Sequence, residues 1–309
     1  MHRTLEITVA SSVTELLCQQ LTAVPEVIGL SVSPGASRKP VGDVLTVHVL
    51  NRGADEVLRL ARAAVPTAND LSVITSEVAS FIAPARQETI EHDKDEAIWE
   101  EMESGLRHQG AITANYLLLM ALGGLICAVG LVSEPVPQAI SFIAAAIIAP
   151  GFDPMTKVTL GLVLRRWSVV RHGVTSTLAG YAVLIATAAL TMLALTAAGE
   201  ASGAALAANP EVEHLSHPRL MELLLSGAGA LAGVVMLAAY RRSFQAGPLI
   251  AMAFIPAAAL IGAGLAVGRP ELALEGLERF GADWGFIVGL GAPFLWIKQK
   301  LVHQRKPIV

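Results

Sequence analysis

The sequence predicts an α-helical membrane protein with six transmembrane spans, arranged as a 3+3 inverted repeat with broken second and fifth spans. An N-terminal α+β ferredoxin-like (βαββαβ) soluble domain precedes them. Three observations carry this prediction. Charge is scarce and gathers before residue 110; the apolar stretch Ala139 to Leu164 is interrupted by Pro150-Gly151-Phe152-Asp153-Pro154; and a later apolar stretch is interrupted around Pro256. Two broken apolar segments at corresponding places in two halves point to a transporter-like site.

The 309 residues are 53% hydrophobic and 16% charged, with a mean hydropathy of +0.57. A soluble domain carries about 25% charge, so the deficit has a location. Counted along the chain, residues 1–110 hold 9 Lys+Arg against 16 Asp+Glu, and residues 111–309 hold 13 against 10. An acidic soluble part is thus joined to a weakly basic membrane part. Cys18 and Cys127 fall in different parts, which makes a bridge between them improbable and fits a reducing compartment. The segment Met1 to Ile7 has no apolar signal core and reads as the start of a strand.

Residues 1–84 form the soluble domain. Leu5, Ile7 and Val9 alternate with polar residues, as in a half-buried strand. Ser11 and Ser12 offer an N-cap, with Glu15 three residues after Ser12 and a helix face of Leu16, Leu17 and Leu21. Val27 to Val32 reads as a second strand, Pro34-Gly35 to Gly42 as a loop, and Val44 to Leu50 as a third strand. A helix over Ala54 to Val65 and a strand over Leu71 to Ile82 complete the βαββαβ order. His48 is a strand histidine without ligand-spaced partners. Residues 85–110 form an acidic connector. Ile98, Met102 and Leu106 recur there at helical spacing, which reads as a solvated linker helix or a lever.

Residues 111–309 form the transmembrane part. A bilayer core of about 30 Å needs about 20 apolar residues in a helix. Ile112–Val132, Gly173–Gly199, Leu223–Tyr240 and Ser243–Gly268 are free of charge; Trp284–Ile297 is short and contains Pro293. With Ala139–Leu164 as a full crossing, the basic residues sort by side. Arg165, Arg166, Arg171, Arg241, Arg242, Lys298, Lys300, Arg305 and Lys306 share the side of the soluble domain, against Arg219, Arg269 and Arg279 opposite. The bias puts both termini in the cytoplasm of a multi-pass inner (plasma) membrane protein. A re-entrant Ala139–Leu164 hairpin would flip every later loop and leave the basic loops opposite the acidic domain.

The first break has its own chemistry. Neither Pro150 nor Pro154 donates a backbone hydrogen bond, so the helical ladder fails twice. Asp153-Pro154 reads as an N-cap followed by Pro at the first helical position, starting a half-helix whose dipole faces the break. Lys157 stands one turn after Asp153, within pairing reach. Matching Ile112–Pro150 to Leu220–Pro256 sets Ala145 against Ala251 and leaves Ala259 opposite Asp153. Asp153 is therefore either a cap paired with Lys157 or an ion or substrate ligand. The candidate site is Pro150, Gly151, Asp153, Pro154, Lys157 and Pro256. Gly229-x-x-x-Gly233, Gly264-x-x-x-Gly268 and Gly285-x-x-x-Gly289 read as helix-packing motifs. His214 and His217, with Glu211 and Glu213, read as a solvated loop rather than a metal site.

The run Ala144 to Pro154 followed by Leu160-Gly161-Leu162 resembles the signature of the uncharacterised hydrophobic domain family, domain of unknown function 389. Ile98-Trp99-Glu100-Glu101 and Arg241-Arg242-Ser243 before Pro248 to Pro256 are similar to it too. Gly151-Phe152-Asp153 departs from the residues the family places between its prolines. The resemblance covers about residues 95 to 300, implies a prokaryotic polytopic membrane protein and names no activity. The expectation is a transporter or channel for a small solute or ion, with a regulatory or oligomerising cytoplasmic domain. The other class considered is a membrane sensor or scaffold whose soluble domain binds a signal or partner. No nucleophile–base pair or metal cluster lies in the spans, so no enzyme, cofactor or metal is expected. The expected partners are the lipid bilayer, further copies of the chain and a small solute or ion, and not nucleic acid.

Overall fold

The structure, a computed structural model, describes residues 2–78, 80–93, 96–239, 252–305 and 307–308. The chain divides into two compact units, and the boundary falls inside the connector. The first holds residues up to Met102 together with Ala238 and the tail from Gln299; the second holds Glu103 to Leu237 and the remaining residues up to Lys298.

The first unit is a four-stranded antiparallel sheet with helices on one face. Its elements run β1 (His2–Val9), α1 (Ser11–Thr22), β2 (Val27–Arg38), β3 (Val41–Leu50), α2 (Ala54–Ala64) and β4 (Ser72–Val78). The strands lie in the order β2-β3-β1-β4. Leu5, Ile7 and Val9 of β1 and Leu45, Val47 and Val49 of β3 point to one face, where Leu17 and Leu21 of α1 and Val57, Leu58 and Ala61 of α2 cover them. The expected loop from Pro34 is instead part of the hairpin. A register shift between Ser33 and Ser37 absorbs the Pro-Gly pair, with Gly35 at φ 60°. Ser11 is not a cap either: Ala10 occupies that position without a side-chain bond. The Ser11 hydroxyl donates instead to Asp43 at 2.7 Å, as do Thr14 Oγ1 and the Gly35 amide, each at 2.8 Å.

The connector is two helices, α3 (Gln87–Glu91) and α4 (Trp99–Gln109). It is not a solvated linker. Ile98, Trp99, Met102 and Leu106 are at most 1% exposed. Arg3 reaches from β1 to Glu101 (2.7 Å), the Glu96 carbonyl (2.6 Å) and Asn51 Oδ1 (2.5 Å). The basic tail also folds into this unit. His303 lies between Asp55 and Glu96 and beside the Trp99 ring, centroids 5.0 Å apart. Arg305 binds Asp55 through Nε and Glu100 through both terminal nitrogens, each at 2.6 Å. Burial alone would lower the His303 pKa, but the hydrogen bonds and charges of Asp55 and Glu96 outweigh it and hold it above its ordinary value. Burial opposes ionisation of Asp55 and Glu100 in turn, yet His303 and Arg305 keep Asp55 low, and Arg305 keeps Glu100 low.

The second unit is helical: α5 (Ala114–Gly130), α6 (Pro135–Ile148), α7 (Phe152–Val163), α8 (Trp167–Ala197), the short α9 (Gly203–Ala207) and α10 (Pro210–Ser216), α11 (Leu220–Ala238), α12 (Phe254–Ala266) and α13 (Pro270–Leu301). Among the described residues, α8, α11 and α13 are long and apolar enough to cross a bilayer. The pair α6–α7, bent by 50°, passes as a fourth, and α5 and α12 are shorter apolar helices. The sixth segment is no short helix from Trp284 but part of α13, which continues through Pro293. Arg279 therefore lies inside a helix, 5% exposed, and not in a loop. Arg241, Arg242 and Ser243, the start of the expected fifth span with Ala251, and Lys306 lie outside the described residues.

The pair α7–α8 and the pair α12–α13 share one turn. Arg166 N–H donates to the Gly161 carbonyl and Arg269 N–H to that of Gly264, both at 2.8 Å. Arg165 (φ 54°) and Gly268 (φ 71°) take the left-handed residue between the helices. Gly161 packs on the Arg166 carbonyl and Val170 amide, Gly264 on the Arg269 carbonyl and Ala273 amide; Gly173 and Gly276 abut the Pro154 and Ala257 carbonyls. Every pair keeps one sequence offset. Residue identity is poor because only the close approaches need a particular residue, and there it is glycine. The offset pairs Asp153 with Pro256, not Ala259.

Candidate functional site

The chain breaks between α6 and α7 as the prolines require. Ala149 is extended, at φ −80° and ψ 115°, and Gly151 N–H donates to the Ala149 carbonyl at 2.8 Å, a three-residue turn around Pro150. No side chain larger than hydrogen fits at Gly151, where a Cβ would run into the Tyr181 hydroxyl and lie 3.1 Å from Ile255 Cδ1. The Tyr181 hydroxyl is buried without a hydrogen-bond partner among the described residues, and its ring packs on Phe280 with centroids 4.6 Å apart. Tyr116, on α5, donates its hydroxyl to the Ser176 carbonyl of α8 at 2.8 Å.

The half-helix α7 starts two residues earlier than its sequence suggests. Gly151 is the N-cap, so Asp153 sits in the first turn and Pro154 one place further in. A carboxylate there still meets the positive end of the dipole, but it does not cap. From Phe152 to Gly161 every residue is buried, so protein surrounds the backbone where it unwinds and restarts. Lys157 is 6% exposed, and Arg107 and Glu103 of α4 are the charges that act on it. Glu103 itself takes Arg107 at 3.0 Å and Arg166 by an ion pair.

Pro256 does not break its segment. It lies in the first turn of α12, which starts at Phe254, so the interruption precedes it. The N-terminus of α12 is held from behind. Asp283 of α13, fully buried, accepts from the Ala253 amide at 3.0 Å. A hydrogen bond from Ser226 of α11 also reaches Asp283. Arg279, one turn earlier on α13, lies 3.5 Å from Asp283 and donates to Ser226 Oγ at 2.5 Å. Its Nε and Nη1 are buried without hydrogen-bond partners among the described residues.

A cavity of about 210 Å³ opens beside Arg279. Phe142, Ile143 and Ala146 of α6 form one wall, and Met252, Ala253 and Pro256 form another. Glu211 and His214 of α10 and Glu222 of α11 also line it, with His214 3.6 Å from Glu222. The cavity thus joins the first half of one broken segment to the helix start of the other. Of the sequence candidates, Pro256 lines it; Pro150, Gly151, Asp153, Pro154 and Lys157 belong to the first break. Sequence reasoning missed Arg279, Asp283, Ser226 and Tyr181. The signal for the first two was a pair of opposite charges one helical turn apart in an apolar segment. Among the described residues no three His, Cys, Asp or Glu side chains gather as a metal site.

Residues 146–288 match the family model described as Domain of unknown function (DUF389). The match bears out the resemblance and spans both interruptions, the Asp283 cluster and most of the cavity wall. The connector residues Ile98 to Glu101 lie outside it. No curated protein and no solved structure gives a significant match.

Proposed function

We propose that this chain is a six-span membrane protein, not an enzyme, that moves a small solute or ion through a site between its two broken helical segments. The cavity walled by α6, α12 and Arg279 carries this reading. Solute sites of transporters built from inverted repeats lie where discontinuous helices of the two halves meet.

Six crossings are supported by which loops touch. Leu131, after α5, accepts from Asn209, after α8, at 3.0 Å. The chain at Gly203 packs on the Val267 carbonyl, after α12. These three loops belong to one face. Arg166, after α7, pairs with Glu103, before α5. These belong to the other. Alternation of that kind needs α6–α7 to cross rather than return. The shared turn then falls on opposite faces in the two pairs, which supports an inverted repeat. The basic residues flanking the sheet side favour cytoplasmic termini and an inner-membrane location. The strand order β2-β3-β1-β4 with helices on one face supports a ferredoxin-like sandwich, which would regulate the membrane part or assemble further copies. A sensor or scaffold is the second reading, favoured by the tail clamped into that unit through Arg305.

The deciding experiment is flux. Proteoliposomes of the full chain are challenged with gradients of sodium isovalerate, leucine or potassium chloride, and volume change is followed by light scattering. Protein-dependent flux of any probe supports transport; flux indistinguishable from empty liposomes for all three removes it and leaves the sensor or scaffold.

A further inference from the structure

We infer that the cavity beside Arg279 binds a small monocarboxylate with an apolar body; binding itself stands apart from the transport reading, and only passage of the bound anion across the membrane rests on it. Arg279 is 5% exposed. Its Nη2 is committed to Ser226 and Asp283, while Nε and Nη1 have no hydrogen-bond partner among the described residues. A buried guanidinium with free donors is under-satisfied, and an anionic oxygen satisfies it at about twice the strength of a neutral one. The start of α12 lines the same cavity through Ala253 and Pro256 and adds the positive end of a helix dipole.

The remaining walls restrict the anion. Phe142, Ile143, Leu225 and Met252 offer hydrocarbon and no donor, which suits an alkyl body. Glu211 and Glu222 on the same cavity oppose a second negative charge, so a dicarboxylate or phosphate dianion is disfavoured. A simple cation meets Arg279. One carboxylate on a short apolar chain fits all three constraints.

The test uses the purified full chain in detergent and reads its melting temperature against increasing sodium isovalerate. Isovaleramide, sodium succinate and sodium chloride are the controls. A saturable rise with isovalerate alone is expected. No rise, or an equal rise with the amide, overturns the inference. Arg279→Gln abolishes the rise. Because that change leaves Asp283 without its cation and can unfold the protein, Ile143→Trp serves as the second variant. It fills the apolar wall away from the ion pair, keeps the unliganded melting temperature and weakens apparent affinity roughly tenfold or more. Wild-type affinity in Ile143→Trp overturns the assignment of the site. Failure of the two readings is distinguishable: isovalerate binding without flux sinks transport and leaves the carboxylate site, whereas flux of another probe without an isovalerate shift does the reverse.

Discussion

At single residues the membrane unit is specified mostly by what is missing. A Cβ on Gly124 of α5 would press into the Leu184 carbonyl of α8, backbone that cannot rotate aside. Gly124→Ala is expected to cost about 1–3 kcal/mol by forcing the two helices apart, read as a lower melting temperature in detergent. Gly285, on α13, meets nothing within 4 Å. Gly285→Ala is expected to raise stability by up to about 1 kcal/mol, since only helix propensity changes. Equal losses in both variants would refute the contrast. The spacing of Gly285-x-x-x-Gly289 reads as packing at both members, and neither packs against a described residue. Spacing identifies a smooth helix face but not whether a neighbour occupies it.

Elements show where the sequence was legible and where it was not. The alternation in β1 and β3 fixed their inward faces because a sheet with one covered face writes its burial into every second residue. The first break was legible because proline removes donors wherever it falls; the second was set at Pro256, which stands in the first turn of α12 instead. The tail was not, since Arg305 and His303 look like any basic run after a last span and their partners, Asp55, Glu96 and Glu100, stand far off in sequence. That clamp has a definite pH dependence. His303 is raised, so its contribution is complete below the ordinary histidine value and disappears as pH climbs through the raised one. Asp55 and Glu100 are lowered, so theirs is complete above the ordinary carboxylate range and fades as pH falls through the lowered values. Protection of the tail amides against hydrogen exchange should therefore peak between the carboxylate range and the raised histidine value. His303→Gln should flatten the alkaline limb and weaken the acid limb through Asp55, while the Glu100 contribution stays. Arg305→Ala strips a cation from two half-buried carboxylates and should free the tail, at a cost of about 3–5 kcal/mol to its docking. A tail equally protected across the whole pH range would contradict the clamp.

For the molecule as a whole, the charge bias and the loop contacts are independent arguments for one topology. The bias counts residues and is sharpened by Arg279, one of the opposing charges, which is a buried helix residue and not a loop charge. The contacts are indifferent to charge sign, except at Arg166, where the Glu103 ion pair serves both. They meet at α6–α7: if the bent pair crosses, Glu200 after α8 is on the face opposite the start of α5; if it turns back, Glu200 is on the same face. The proline-broken pattern of Ala139–Leu164 fits either outcome, which is why the sequence alone left a re-entrant hairpin open. Single cysteines at exposed Ala36 and Glu200, on a Cys18→Ser, Cys127→Ala background, separate the two in sealed vesicles with a membrane-impermeant maleimide. Glu200→Cys is expected to react from the face where Ala36→Cys is protected, and the reverse in inverted vesicles. Labelling of both from one face would make the pair re-entrant. Every later loop would flip with it, which sets Asn209 after α8 on the face opposite Leu131 after α5, breaks the contact between them and removes the geometric basis for a site between opposed half-helices.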